Sequence, residues 1–180
     1  YLGSKLGEDY LAVNTILMQF IILAAFFLDA FAFSTEGIVG FTIGRKNKIS
    51  FLSVVKNSIQ LSFYTALIIS FLYLLFFKNI INIITDIDIL RFISYKHIFW
   101  IVIIPPIASF CYQLDGIFIG ASQTKEIRNA MIVSVLSFIG ISIYLTRYFE
   151  NHGIWFSLMI FMLLRALTLQ FYFKKILKKF

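Results

Sequence analysis

One cysteine and two histidines in 180 residues exclude more than they suggest. Cys111 stands alone inside an apolar stretch, so there is no disulfide framework and the redox compartment cannot be read from it. His97 and His152 are far apart in sequence and lack metal-ligand spacing, which predicts two solvated loop histidines and no metal site. No nucleophile-and-base pair, phosphate-binding loop or metal cluster stands out either, so an enzyme is not expected and neither is a cofactor. Charge is sparse, at 14% of residues with nine carboxylates. The opening YLGSKLGEDY has no initiator methionine and no signal-peptide pattern, and the chain reads as a piece of a longer protein.

What fills the chain is apolar. Hydrophobic residues make up 60%, 22 residues are phenylalanine and the mean hydropathy is +0.89, more than a soluble domain of this size buries. A span needs ~20 mainly apolar residues, and five segments qualify: 11–43, 54–77, 98–119, 129–146 and 154–173. The expected fold is an all-α polytopic membrane helix bundle of five transmembrane helices, with residues 1–180 forming one unit.

The loops set the expected orientation. Arg45, Lys46, Lys48 and Lys56 follow the first span, Lys125 and Arg128 the third, and Lys174, Lys175, Lys178 and Lys179 the fifth. Positive charge concentrates on the cytoplasmic side, which puts the C-terminus there. The alternate loops are mixed: Lys5 with Glu8 and Asp9; Lys78, Arg91 and Lys96 with Asp86 and Asp88; Arg147 with Glu150. Trp100 and Trp155 fall near the outer ends of their spans, where aromatic belts form. The net charge of +7 thus reads as membrane anchoring, with lipid as the neighbour and no nucleic acid.

Four charges lie at membrane depth: Asp29, Glu36, Asp115 and Arg165. Each costs at least ~3 kcal/mol to insert, so such residues face water-filled cavities or one another and mark ion or substrate paths. Counting back from the cytoplasmic helix ends at ~1.5 Å per residue puts Asp115 about 6 Å deep, Glu36 about 10 Å and Arg165 about 12 Å. Arg165 is therefore expected to pair with Glu36 or Asp115, either as a cytoplasmic gate or as a static ion pair. Asp29 lies about 21 Å from that end, with no basic residue at matching depth, and is the first candidate for reversible protonation. Its alternative role is that of a hydrogen-bonded structural carboxylate.

Small residues and prolines shape the helices. Gly40 and Gly44, and again Gly116 and Gly120, have GxxxG spacing and predict close helix packing. Ser134, Ser137, Gly140 and Ser142 read the same way. Pro105 and Pro106 remove two backbone donors and predict a kink. The first span would reach about 50 Å, past a ~30 Å hydrocarbon core, so it must tilt, protrude or break.

Three runs carry a family resemblance: NTILMQFIILAAFFLDAFAFSTEGIVGFTIG (14–44), QLDGIFIGASQTKEIRNAM (113–131), and NHGIW followed by LLRALTL (151–169). The chain resembles the multidrug and toxic-compound extrusion (MATE) transporters, in their DinF-like branch. The resemblance implies two pseudo-symmetric six-helix lobes around a central chamber, with helices eight to twelve supplied here and the N-terminal lobe missing. It implies antiport in a bacterial inner membrane: proton or sodium influx drives expulsion of bulky, cationic or aromatic small molecules by alternating access. Asp29, Glu36 and Asp115 are then the ion-coupling candidates and Arg165 the gate candidate. The family's best-attested proton-linked carboxylate lies in the absent lobe, and Asp115 does not match the sodium-branch motif, so the coupling ion stays open. A flippase for lipid-linked oligosaccharides would share this architecture but needs a cationic cavity, whereas the buried charges here are three acidic to one basic. A non-transporting assembly subunit would not explain acids at membrane depth.

Overall fold

Helix after helix forms because long apolar runs meet few breakers. The structure, a computed structural model, describes residues 3 and 6–180; Lys5 of the first loop lies outside the described residues. Helix α1 (Glu8–Gly44) starts with Glu8 and Asp9 at the positive end of its dipole and runs without interruption. At ~1.5 Å per residue it is about 55 Å long and does not break, so of the three ways to fit the bilayer it tilts or protrudes. It ends where Lys46 turns left-handed (φ 52°) and Asn47 N–H donates to Thr42 O, closing off carbonyls that the last turn leaves free.

Asn47 then accepts from Ser50 N–H at 3.0 Å and caps α2 (Lys48–Ile84). A short α3 (Asp88–Lys96) leads through His97 into α4 (Ile98–Gly120), which continues through both Pro105 and Pro106. Ser122 (φ 56°) closes α4 as Lys46 closes α1, with Gln123 N–H donating to Phe118 O.

The last element, α5 (Thr124–Leu177), is 54 residues with a single non-helical residue, Glu150 (φ 48°, ψ −128°). Glu150 is a reversal. Phe138 and Phe161 have ring centroids 6.1 Å apart, and Lys175 Nζ lies 3.0 Å from Glu126 Oε1, although 49 residues separate that pair. In one straight helix those residues would stand tens of ångströms apart at ~1.5 Å per residue. Residues 124–149 and 151–177 therefore form an antiparallel hairpin. Gly153 permits the turn, since a Cβ there would lie 2.6 Å from the Leu145 carbonyl.

Four helices are long and apolar enough to cross a membrane. The hairpin makes the longest of them two passes. The five sequence segments fall in α1, α2, α4 and the two limbs of α5.

Helix α4 is the axis of the bundle and is by far the most buried of the four. It packs most closely on α1, then on α2 and α5. At the α1 crossing, a Cβ on Gly116 would overlap the Ala32 carbonyl and one on Gly120 the Glu36 carbonyl. A Cβ on Gly40 would lie 3.4 Å from Gly120 O. A Cβ at Gly44 or Gly140 meets nothing within 4 Å, so neither packs against a helix here. The reason is register: Gly44 sits past the crossing, on the exposed last turn of α1. Ser134 and Ser142 are buried and return their hydroxyls to their own helix. Elsewhere Tyr73 donates to Phe20 O at 2.7 Å and ties α2 to α1.

Large apolar side chains line the outside, Phe26 and Phe33 of α1 each 70% exposed among them. Soluble proteins rarely expose apolar surface on this scale. The protein is a membrane protein. With no hydrophobic force between helices in lipid, association rests on close packing of the kind seen at Gly116 and Gly120.

Candidate functional site

A polar cluster crosses the middle of this apolar bundle. Arg165, on the second limb of α5, donates from Nη2 to Asp115 Oδ2 on α4 at 2.7 Å. The side chains are 16% and 13% exposed. Asp115 Oδ1 and Arg165 Nε are buried without a hydrogen-bond partner, so the pair is only half satisfied. Asp29 on α1 lies within electrostatic reach of Arg165, and the phenol of Tyr112 feels Asp29, Asp115 and Arg165 together.

This differs in one respect from the count along the helix axes, which gave Asp29 no basic neighbour. Side chains lean toward the N-terminus of their helix, and the second limb begins at the end of the bundle that holds Trp100 and Trp155. On that lean the Arg165 charge falls closer to the depth of Asp29 than the count of its Cα implies. A long side chain shifts its charge along the axis in a way that residue counting ignores.

Glu36 is partly buried and makes no ion pair among the described residues; its backbone carbonyl is what Gly120 leaves room for. One turn away, buried Thr35 donates to Phe31 O at 2.8 Å and stands 3.0 Å from Gln113 Oε1, while Gln113 Nε2 has no partner. Gln113 thus lies on the α1 side of α4 and Asp115 on the α5 side. No group of three or more potential metal ligands occurs among the described residues.

A second cluster, at the tryptophan end, was not expected. His97 and His152 stack with centroids 4.3 Å apart and rings within 10° of parallel, and His97 is only 2% exposed. This corrects the reading of a solvated histidine for His97, while His152 stays exposed as expected: the α5 hairpin brings residue 152 back over residue 97. Asn14 and Asn151 exchange amide hydrogen bonds at 2.6 and 3.0 Å. Trp155 Nε1 donates to Asn14 Oδ1, Asn151 Nδ2 reaches His97 Nε2, and Trp100 Nε1 donates to His152 Nδ1, each at 2.9 Å. The only sequence hint was Asn151 and His152 beside Gly153 with a tryptophan two residues on.

The basic end is held by Lys175 on Glu126 and by Lys179 donating to Ala121 O, which join the end of the hairpin to its start and to the α4–α5 turn. Five well-formed pockets lie in grooves between helices, and neither Asp115 nor Arg165 lines any of them.

The chain is 34% identical over 168 residues to "DNA damage-inducible protein F" of Escherichia coli (strain K12), which covers 93% of this chain and 36% of that protein. The chain thus spans about a third of the length of the curated relative it matches. No solved structure matches it. The MatE family profile matches residues 1–147, from α1 through most of the first hairpin limb, and the chain belongs to the MatE family.

Proposed function

We propose that this chain is part of the C-terminal lobe of a secondary active exporter, which expels bulky cationic or aromatic compounds against inward proton or sodium flow by alternating access. The observation that carries this reading is one guanidinium, Arg165, bonded to Asp115 while within reach of Asp29, all in helices otherwise made to face lipid and one another. Two acids that share one cation can trade it. When Asp29 takes a proton, Arg165 is held by Asp115 alone; when Asp29 releases it, Arg165 is drawn toward α1 and the grip on α4 loosens. Ion binding is thereby converted into a change in how α5 sits against α1 and α4.

The basic end would face the cytoplasm with the C-terminus, and the tryptophan end the outside of a bacterial inner membrane. The N-terminal lobe would complete the chamber, because one lobe cannot present a site alternately to two sides. Among the described residues Arg165 is the sole base at that depth, and it is already paired. It therefore offers no free cation for a pyrophosphate-linked lipid, which argues against a flippase.

The test uses the full-length protein in vesicles with an imposed pH gradient and a fluorescent aromatic cation. Asp29→Asn should abolish gradient-driven efflux while insertion and yield are unchanged, and Asp115→Asn should impair it too. Efflux by Asp29→Asn at the wild-type rate, with the same gradient dependence, would sink the proposal. Repeating the assay with a sodium gradient decides the ion.

A further inference from the structure

The cluster at the tryptophan end has a fixed hydrogen-bond direction. An indole N–H can only donate, so the Asn14 atom facing Trp155 Nε1 is the oxygen. With that orientation set, the reciprocal amide pair places Asn151 Oδ1 opposite Asn14 Nδ2 and Asn151 Nδ2 opposite Asn14 Oδ1. The second hydrogen of Asn151 Nδ2 then points at His97 Nε2, 2.9 Å away, which must accept. His97 consequently carries its proton on Nδ1, donated to Ile93 O at 2.8 Å. One line of donors runs from Trp155 through Asn14 and Asn151 to His97, closed between the two amides by the reciprocal bond.

A second proton on His97 has no place in this network. It would put an N–H on Nε2 against the Asn151 N–H. Turning Asn151 over would require turning Asn14 over, and that would set the Asn14 amide nitrogen against the Trp155 N–H. We infer that His97, Asn151, Asn14 and Trp155 form a proton-responsive latch, closed when His97 is neutral and released when it is protonated, separate from the Asp29, Asp115 and Arg165 cluster.

The residues tie together three parts of the fold: the start of α1, the α3–α4 junction and the tip of the α5 hairpin. A cleft of about 150 Å³ lined by Tyr10, Ile93, Lys96, His97, Glu150, Asn151 and His152 gives protons a route to the imidazole. The groups facing His97 are Tyr10 from α1, Lys96 from α3, and Glu150 and His152 from the hairpin. Burial holds His97 below its ordinary value; the hydrogen bond to Ile93 O pulls the other way, and the neighbouring His152 and Lys96 add smaller downward pushes. The latch therefore opens only in acid below the ordinary histidine value of about 6.5. It reads the tryptophan end directly, so it stands or falls apart from the proposed transport reaction.

Two measurements on the full-length protein test it. Nitrogen-15 NMR of labelled histidine should show the Nδ1–H form for His97 and the Nε2–H form for His152 at neutral pH; a neutral Nε2–H His97 overturns the direction of the network. Spin labels at exposed Phe92 and Tyr148 should report a widening gap as pH falls, with its midpoint below about 6.5. His97→Gln should abolish the transition and His152→Gln should keep it. Trp155→Phe is the sharpest variant: freed of its fixed donor, the amide pair can turn over and accept a protonated His97, so the latch should survive to lower pH. If Trp155→Phe opens at higher pH than wild type, or if His97→Gln still opens, the latch is refuted.

Discussion

Arg165 and Asp115 meet at 2.7 Å between the second limb of α5 and α4, yet the far oxygen of one and the Nε of the other are buried without partners. Fully bonded ion pairs fix a fold; the two open positions here are what the proposed exchange with the Asp29 carboxylate would use.

Removing one member strands the other. Arg165→Ala or Asp115→Asn should destabilise the full-length protein by about 3 kcal/mol, and Arg165→Met with Asp115→Leu should recover most of that loss. A double-mutant cycle on denaturation in detergent measures it; two single variants within about 0.5 kcal/mol of wild type would mean that the pair contributes nothing.

The α1–α4 crossing should be intolerant where Cβ atoms collide with backbone. Gly116→Val and Gly120→Val should each cost about 1–3 kcal/mol as α1 is pushed away. Gly44→Ala, in open space, should stay within about 0.5 kcal/mol. Thermal unfolding of the three variants side by side gives the answer, and equal losses would place the crossing elsewhere.

Glu150 holds φ 48° and ψ −128°, a conformation that glycine adopts freely and L side chains do not. Glu150→Gly should therefore stabilise the hairpin by about 1 kcal/mol despite the added freedom of the unfolded chain. A lowered melting temperature in that variant would show that the carboxylate matters more than the turn.

The depressed His97 proton affinity has a sign that can be checked. Between the folded-state value and about 6.5 the unfolded chain binds a proton that the folded one refuses, so stability rises with pH through that window and falls on acidification. His97→Gln should flatten the slope. Melting curves collected across the window test this, and a slope of opposite sign excludes it.

The helices were legible because span length and apolar content are local properties, and α1, α2 and α4 enclose the segments read from composition. Counting along each helix ranks the four charges by expected depth but does not say which acid Arg165 holds, since depth says nothing about which helices face each other. The outer cluster was illegible for a related reason. Asn14 and Asn151 are 137 residues apart, and amides or imidazoles near helix ends look solvated until a turn brings them together. Gly153 was the one local trace of that turn, and it reads as an ordinary glycine without knowledge that Leu145 lies against it.

The reversal at Glu150 has a mechanical consequence. With a single non-helical residue between them, the two limbs of α5 have no slack: neither can slide along the membrane normal without dragging the other. Their far ends are clasped as well, by Lys175 on Glu126. A push on Arg165 in one limb is therefore passed on to the other.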